Sequence, residues 1–319
     1  MSKTKKPKHD IYQEVTDNII KLLEQVDMKE YQPPFAQMTA MGIPENPLTQ
    51  NPYQGVNILN LWFNQAAKSF QSNQWATFKQ WKELGANVKK GEKGTGIIFY
   101  KTLLKEEENT QGQTEEKRVP MARRYTVFNA DQVTDYDITL IEGHQDDLVK
   151  PLDLIDTFTK HTKADIRVQG TSAFYSPEHD HITMPHTHNF KDTSFASATE
   201  HYYNTLLHEM THWTGAKHRL DREGINPEKP DTKQSYAFEE LIAELGAAFL
   251  CAQFNILQTH PHEHAVYIKN WLAALKNDKK WIFKAAAQAN KAAEYLNTLQ
   301  PQQTGTSTGK EETPHVSCL

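Results

Sequence analysis

The stretch Leu206-Leu207-His208-Glu209-Met210-Thr211-His212-Trp213 decides how the fold of this 319-residue chain is interpreted. It contains the pattern His-Glu-x-x-His in a segment whose apolar residues follow a helical period. Residues four apart share one face of a helix, so the imidazoles of His208 and His212 can bind one Zn²⁺. Zinc with three protein ligands and an open fourth position lowers the pKa of its bound water to about 7. Glu209 lies between the two histidines, and we predict that it is the general base that takes the proton from that water.

A third zinc ligand is expected from residues 238–250, a helical segment that is apolar and rich in small residues apart from its glutamates. Carboxylates in such a helix are costly to bury unless they are paired or bind a metal. Glu240 and Glu244 are four residues apart and share a face, whereas Glu239 points elsewhere. We favour Glu240 as the ligand with Glu244 supporting a ligand histidine, and a change of one helical turn would exchange the two roles. The alternative for either residue is a salt bridge on the helix surface.

Further histidines surround a predicted β-hairpin in the second half of the chain. They are His179, His181, His186 and His188, and three more lie in His260-Pro261-His262-Glu263-His264. Spacings of two residues do not place ligands on one helix face, so these histidines are expected to be solvated. In zincin metallopeptidases an edge strand aligns an extended peptide above the metal by main-chain pairing, and residues 174–185 are the candidate for that strand. Tyr236 and His218 are candidates for stabilising an oxyanion.

The formal net charge of the chain is −5, from 35 basic and 40 acidic residues, and it is unevenly distributed. Residues 1–136 carry 18 lysines and arginines and 16 acids, whereas residues 137–319 carry 17 and 24. Five acids of the first half lie within residues 105–117, a polar tract that is typical of a solvated hairpin loop. Without that loop the first half has 16 basic and 11 acidic residues. A basic N-terminal unit is therefore joined to an acidic C-terminal one.

The composition excludes several classes of protein. With 38% apolar and 10% aromatic residues and only short apolar runs, the chain is neither disordered as a whole nor membrane-spanning. The basic start lacks the apolar stretch of a secretory signal, so we expect a cytoplasmic protein with no membrane partner. The two cysteines, Cys251 and Cys318, provide neither a disulfide framework nor a zinc site. Any bound metal is therefore expected to have histidine and carboxylate ligands.

Apolar periodicity and turn signals predict an α+β chain, and its length is sufficient for two cores. Residues 1–136 are expected to form a DNA-binding domain with a small antiparallel sheet, and residues 137–150 a linker. Residues 151–299 are expected to form a mainly helical domain with a short sheet. Residues 300–319 are polar and low in apolar content, so we expect a disordered tail.

The first unit interleaves aromatic and basic side chains in a way that suits single-stranded DNA. Such binding needs cations that follow the phosphates and ring faces on which bases stack. The sharpest signal is Lys89-Lys90-Gly91-Glu92-Lys93-Gly94, where glycines let the backbone approach a phosphate and lysines supply charge. The alternative is that most of the rings are core residues and the lysines form a solvated face. The predicted DNA-binding residues are Lys79, Lys82, Lys89, Lys90, Lys93, Trp75, Trp81, Arg123, Arg124 and Tyr125.

Motifs in both halves resemble one known family. In the first half, Tyr53-Gln54-Gly55-Val56-Asn57, Lys90-Gly91-Glu92-Lys93-Gly94 and Val127-Phe128-Asn129 look like the N-terminal domain of ArdC-type antirestriction proteins, which TraC-type plasmid primases share. In the second half, the His-Glu-x-x-His segment and Glu239-Glu240-Leu241-Ile242-Ala243-Glu244 resemble that family's zincin-like metallopeptidase domain. The resemblance implies a plasmid- or phage-borne protein that binds incoming single-stranded DNA and protects it from host restriction.

Three functions are compatible with these residues. The first is an antirestriction protein that binds single-stranded DNA and carries a zinc-dependent peptidase with a protein or peptide substrate. The second is a non-catalytic single-stranded DNA-binding protein in which the zinc is structural. The third is a DNA-dependent protease that acts on proteins bound to DNA. The residues leave open whether the metal site is catalytic.

Overall fold

The computed structural model describes residues 10–24, 39, 41–108, 114–137, 149–193, 196–225, 233–258 and 265–301. The tip of the predicted acidic loop, most of the predicted linker, the histidines at 260–264 and nearly all of the predicted tail lie outside the described residues. The predicted α+β class is confirmed, with helices packed beside small, mainly antiparallel sheets. Among the described residues, no helix combines the length and the apolar character needed to cross a membrane.

The N-terminal half builds its sheet from strands that are far apart in sequence. Its elements are α1 (Ile11–Glu24), β1 (Glu45–Asn46), β2 (Asn51–Pro52), α2 (Val56–Ala67), β3 (Trp75–Thr77), α3 (Phe78–Glu83), β4 (Asn87–Val88), β5 (Thr95–Glu108), β6 (Thr114–Asn129) and β7 (Val133–Thr134). The main sheet has the order β3-β6-β5 and is antiparallel throughout. β1 pairs with β2, and β4 pairs with β7. Helix α3 begins at a capping box formed by Thr77 and Gln80.

Strands β5 and β6 form a ribbon that continues well beyond the three-stranded sheet. Its register runs from the pair Thr95–Val127 to the pair Glu108–Thr114. The described parts of the segment predicted as a solvated loop, residues 105–108 and 114–117, are therefore strand, and this corrects the prediction for those residues. Composition misses the ribbon because the backbone hydrogen bonds of a strand come from its partner, so a polar tract can pair as well as an apolar one.

Helix α2 covers the open edge of the sheet at β5. The side chain of Asn57 accepts a hydrogen bond from the N–H of Ile98 at 2.9 Å and donates one to its carbonyl oxygen at 2.7 Å. Asn60 donates to the carbonyl oxygen of Gly96 at 2.7 Å. An edge strand otherwise presents unpaired backbone groups, so these two amides take the place of a neighbouring strand.

The C-terminal half consists of helices around a three-stranded sheet. Its elements are α4 (Val149–Thr162), β8 (Asp165–Val168), β9 (Phe174–Ser176), β10 (His181–Met184), α5 (Ala198–Thr214), α6 (Lys233–Gln253), α7 (Ala265–Asn277) and α8 (Trp281–Thr298). The sheet has the order β8-β10-β9, with β10 parallel to β8 and antiparallel to β9. The predicted hairpin is confirmed as β9–β10, and β9 lies at the edge of the sheet.

Helices α5 and α6 carry the predicted metal ligands and cross at short distance. Helix α5 begins at a capping box in which Ser197 and Glu200 satisfy each other's backbone N–H groups. A Cβ atom at Gly246 would lie 2.5 Å from Cγ2 of Thr211, so the close approach of the helices requires glycine there. The crossing brings the face of α6 that carries Glu240 against the histidines of α5.

One hydrophobic core joins the two halves of the chain. Val15 and Ile19 of α1 and Trp62 of α2 are buried together with residues of α6, α7 and α8. The ring of Trp62 lies 6.1 Å from that of Phe249 on α6. A second core fills the space around α4, α5 and the β8-β10-β9 sheet. The helix that carries Glu240 thus packs on the N-terminal helices, and the functional division of the chain near residue 137 stays a prediction.

Candidate functional site

The side chains of His208, His212 and Glu240 converge where α5 crosses α6. The two Nε2 atoms of the histidines are 3.1 Å apart. Oε2 of Glu240 lies 3.6 Å from Nε2 of His208, and its Oε1 lies 3.5 Å from Nε2 of His212. In the part of the chain that the structure describes, this is the one group of three potential ligands whose atoms lie within 4.8 Å of one another. Two imidazole nitrogens and a carboxylate are a donor set that zinc and other divalent metals bind, so these residues fit a metal.

Glu239 and Arg222 hold the imidazole of His212 from its other edge. Nδ1 of His212 lies 3.2 Å from Oε1 of Glu239. Arg222 donates to both carboxylate oxygens of Glu239, at 2.6 to 3.1 Å, and also to Oγ1 of Thr214 and the carbonyl oxygen of Thr211. All of these residues are buried. A carboxylate at the second nitrogen fixes the tautomer and ring orientation of a metal-binding histidine.

This arrangement corrects the predicted roles of two glutamates. Glu239, predicted to point elsewhere, is the residue that contacts a candidate ligand histidine. The carboxylate of Glu244, the predicted alternative, instead accepts a hydrogen bond from Nε2 of Gln258 at 3.0 Å. The physical reason is that the two nitrogens of His212 lie on opposite edges of its ring, so that one imidazole meets two successive carboxylates of α6. The one signal in the sequence was the adjacent pair of glutamates in an otherwise apolar helix.

Hydrogen bonds within the site favour the charged forms of its side chains. Burial disfavours the imidazolium of His212, but the hydrogen bonds with Glu239 and Glu240 outweigh it and raise the pKa of His212 to about 10. Burial also opposes ionisation of Glu240, yet the hydrogen bonds with His208 and His212 lower the pKa of its carboxyl group. The carboxylates therefore stabilise positive charge at this point. A divalent metal supplies the same charge and takes the place of the proton, because ligating imidazoles are neutral.

Glu209 lies beside these ligands and faces strand β9. Burial raises the pKa of its carboxyl group, and the charges of His208 and His212 act in the opposite direction. The backbone N–H of Tyr175, in β9, also favours the ionised form and so lowers the pKa of this carboxyl group. A carboxylate in this position can accept a proton from a water in the site and return it, as a general base requires.

The site opens into a cleft of about 260 Å³. The cleft is lined by Phe174 of β9 and by Ile225 and Tyr236, which follow α5 in the sequence. The rings of Phe174 and Tyr236 are 46% and 42% exposed, so both are accessible to a bound molecule. Tyr236 therefore remains a candidate for contact with a substrate. His218 is not among the lining residues, and its Nε2 lies 3.3 Å from the carboxylate of Asp180.

Four histidines on and beside the β9–β10 hairpin form two ring pairs. The ring centres of His179 and His181 are 5.9 Å apart, and those of His186 and His188 are stacked at 5.4 Å. Within the described ranges, neither pair has a third ligand close enough to complete a metal site.

The predicted DNA-binding cations are exposed on the N-terminal half, and we refer to them together as the basic face. They are Lys79, Lys82, Lys89, Lys90, Lys93, Arg123 and Arg124. Two hydrogen bonds order the turn between β4 and β5. Nζ of Lys89 donates to the carbonyl oxygen of Asp131 at 2.9 Å, and Nζ of Lys68 donates to that of Lys93 at 3.1 Å. Lys68, which the sequence did not single out, thus adds a further cation beside the basic face.

Trp75 and Trp81 are buried, which corrects the prediction that they bind DNA. Both are 0% exposed, so neither ring offers a face to a base. Trp75 packs in a small core with Leu61, and the indole nitrogen of Trp81 donates to the carbonyl oxygen of Phe128 at 2.9 Å. Interleaved aromatic and basic residues do not reveal which rings face inward, because that depends on how the sheet packs on its helices.

Three other rings of this half are exposed: Phe78 at 54%, Phe99 at 38% and Tyr125 at 39%. Phe99 pairs with Arg123 across the ribbon, and Tyr125 lies two residues beyond Arg123 on β6. These three residues therefore share one face of the ribbon. The rings of Phe99 and Tyr125 are 6.1 Å apart at an interplanar angle of 87°. Tyr125 belongs to the predicted DNA-binding residues, whereas Phe78 and Phe99 do not.

The glycines of the lysine-rich turn have structural roles. Gly91 has a φ angle of 91°, in the region that favours glycine. A Cβ atom at Gly94 would lie 2.5 Å from Cγ2 of Thr126 and 2.8 Å from the carbonyl oxygen of Val127. Both glycines are thus explained by the turn and by the approach of β6, so the lysine side chains carry whatever affinity this turn has for a phosphate.

Comparisons with protein families and curated sequences agree in both halves. The model for the N-terminal domain of anti-restriction factor ArdC matches residues 9–128, and a zincin-like metallopeptidase model matches residues 153–288. The uncharacterized protein y4eC of Sinorhizobium fredii (strain NBRC 101917 / NGR234) is 36% identical, over 91% of this chain and 92% of that protein. Two Escherichia coli proteins named DNA primase TraC are 30% and 31% identical, and the match spans 20% and 28% of their lengths.

Two crystal structures of the antirestriction ArdC protein from plasmid R388 are similar to the whole described fold. The metal-free structure is 39% identical with a TM-score of 0.69, and the Mn(II)-bound structure is 38% identical with a TM-score of 0.70. Each comparison covers 91% of this chain and 98% of the other.

Proposed function

Because the chain belongs to the ArdC family of antirestriction proteins, we propose that it protects incoming plasmid or phage DNA from host restriction in the cytoplasm. In this proposal the N-terminal half binds single-stranded DNA and the C-terminal half is a zinc-dependent peptidase. One observation carries the proposal: His208, His212 and Glu240 converge beside the buried carboxyl group of Glu209, at the bottom of a cleft that can admit a substrate.

Each residue of the site has a defined task in the hydrolysis of a peptide bond. His208, His212 and Glu240 would hold the metal, which as a Lewis acid polarises the substrate carbonyl and makes water more acidic. Glu209 accepts the proton of the attacking water and returns it to the leaving amine. The raised pKa of Glu209 suits both transfers. Glu239 keeps the ring of His212 in the orientation that coordination requires.

We propose zinc as the metal because two histidines and one glutamate are the ligands of many catalytic zinc sites. The Mn(II)-bound ArdC structure makes manganese the competing candidate. Elemental analysis of the full chain, purified without added metal, distinguishes them. Zinc at about one equivalent supports the proposal, and manganese at that level would replace zinc in it.

The proposed DNA interface is the basic face together with the exposed rings of Phe78, Phe99 and Tyr125. Its strongest element is the patch at the base of the ribbon, where Phe99 and Tyr125 lie on the same face as Arg123. Rings and cations side by side provide stacking for bases and charge for phosphates. The similarity of the chain to proteins named DNA primase TraC supports an association with DNA.

The substitution Glu209→Gln tests the catalytic part of the proposal. The amide cannot accept the proton, so hydrolysis of a casein digest should fall by about 100-fold or more, the usual contribution of a general base. Metal content should be unchanged, because Glu209 is not one of the three proposed ligands. Glu178→Gln is the matched control, since that side chain is 85% exposed on the β9–β10 turn. Equal hydrolysis by the Glu209→Gln variant and the unmodified protein would contradict the mechanism.

A second function is favoured by the shared core. Helix α6, which carries Glu240, packs against α2 in a core that also includes α1, so a metal that orders α6 would also stabilise the DNA-binding half. If the metal is only structural, Glu209→Gln retains antirestriction in a conjugation assay, whereas His212→Ala abolishes it. If both variants lose protection, catalysis is required. Hydrolysis that rises when single-stranded DNA is added would instead indicate a DNA-dependent protease.

A further inference from the structure

Arg219 ties the β9–β10 turn to the end of the helix that carries the two histidines. It donates to both oxygens of the Asp180 carboxylate and, at 3.1 Å, to the hydroxyl oxygen of Tyr175. The hydroxyl of Tyr175 in turn donates to Asp180 at 2.9 Å. Nε of Arg219 donates to the backbone carbonyl oxygen of Trp213 at 2.6 Å, and the guanidinium of Arg219 lies 3.8 Å from the centre of the Trp213 ring. We refer to Tyr175, Asp180 and Arg219 as the hairpin clamp.

The hairpin clamp differs in kind from an ordinary surface salt bridge. The side chain of Arg219 is 5% exposed and Tyr175 is buried, while the side chain of Asp180 is 41% exposed. A buried guanidinium with several fixed donors restricts the geometry of its partners. The pair Arg167–Asp165, in β8 at the opposite edge of the same sheet, provides the contrast, because both of its side chains are about half exposed. Such an exposed pair contributes little.

The hairpin clamp acts on the strand that borders the cleft. Tyr175 lies on β9, which is at the edge of its sheet, and it lines the cleft together with Glu209. Backbone groups alternate in direction along a strand, so those of Ala173, Tyr175 and Pro177 point to the same side, and all three residues line the cleft. Proline has no N–H to donate, which ends pairing on that side. An added strand is thereby limited to a short register opposite Ala173 and Tyr175.

We propose that Arg219 and Asp180 are positioning residues that, through Tyr175, set the open edge of β9 relative to Glu209. They thereby hold one extended peptide segment in one register across the site. The inference rests on the proposed peptidase function and deepens it, because the substrate it specifies is an unfolded segment bound by main-chain pairing.

Two hydroxamates test this with the metal-loaded full chain. Acetohydroxamate binds only the metal, whereas an N-acetylated tripeptide hydroxamate can also pair with β9. The ratio of their dissociation constants, measured by calorimetry, isolates the contribution of the edge strand. In the unmodified protein the tripeptide should bind about tenfold more tightly, the effect of one or two main-chain hydrogen bonds. In Arg219→Gln and in Asp180→Asn the ratio should fall toward one, while metal content and acetohydroxamate affinity stay unchanged.

Arg167→Gln is the matched control, and its ratio should equal that of the unmodified protein. A ratio that is unchanged in both clamp variants overturns the inference and leaves the metal site intact. The inference also fails if the unmodified protein does not prefer the tripeptide. If acetohydroxamate itself does not bind the metal-loaded chain, the proposed peptidase function fails, and the inference fails with it. Should Arg219→Gln not fold, Tyr175→Phe decides, because it removes a single hydroxyl from the hairpin clamp and should still lower the ratio.

Discussion

The candidate metal site is buried, with His208, His212 and Glu240 only 2%, 7% and 3% exposed, whereas the lysines and arginines of the basic face are all exposed. Coordination needs every donor atom in place, so the loss of one ligand removes the site. Phosphate binding sums many small contributions from flexible side chains, so the loss of one cation lowers the affinity by a fraction. A single substitution should therefore abolish metal binding at the first region but only weaken DNA binding at the second.

The largest expected effect separates the two glutamates that share a face of α6. Loss of a residue that only orients a ligand lowers metal affinity by up to about 100-fold. Glu240→Gln removes a ligand itself, so it should lower metal affinity by much more than that. Glu244→Gln should keep the metal, because its carboxylate is hydrogen-bonded to Gln258. Chelator competition measures both affinities, and circular dichroism confirms that each variant is folded. If the folded Glu244→Gln chain lost the metal as completely as Glu240→Gln, the ligand assignment would move to Glu244.

An intermediate effect is expected from Glu239→Gln. The variant loses the carboxylate that orients His212, so metal affinity should fall about 10- to 100-fold without being abolished. It also leaves the guanidinium of Arg222 without its charged partner, and breaking a buried pair costs about 3–5 kcal/mol of stability. Metal affinity and the midpoint of thermal unfolding should therefore fall together. Asp165→Asn, at an exposed pair, should change neither. An unchanged metal affinity in Glu239→Gln would show that His212 is held by other contacts.

The convergence of side chains at the candidate metal site was predictable from sequence wherever its geometry is local. The spacing of His208 and His212 sets both on one face of a single helix, and the structure brings their Nε2 atoms together. The acid-bearing helix was also recognisable, because glutamates in an apolar segment need a partner. The role of Glu239 was not, since it depends on the angle at which α6 crosses α5. The sequence pattern of α6 alone does not determine that crossing angle.

The basic face was predictable only as a composition. The lysines around Lys90 are exposed as expected, but the same reasoning selected two buried tryptophans and omitted Phe99. Whether a ring on a strand faces outward depends on the register of β5 with β6 and on where α2 ends. Both are features of the tertiary structure. The polar tract at residues 105–117 is a similar case, because its pairing partner lies across the turn. The exposure of these side chains could be determined only from the structure.

The smallest effect is expected at a single lysine of the basic face. Lys90→Gln removes one phosphate contact, so the slope of log affinity against log salt for single-stranded DNA should shrink by about 0.7. At 0.1 M salt that corresponds to a loss of roughly fivefold, spread evenly over DNA sequences. Fluorescence anisotropy over a salt series measures both quantities. Lys160→Gln, an exposed lysine on α4, is the matched control and should leave the slope unchanged. If Lys90→Gln abolished binding, one lysine would dominate as a metal ligand does, and the contrast between the two regions would be lost. If Lys160→Gln reduced the slope equally, DNA would be attracted by charge on both halves. The basic face would then not be the specific DNA interface.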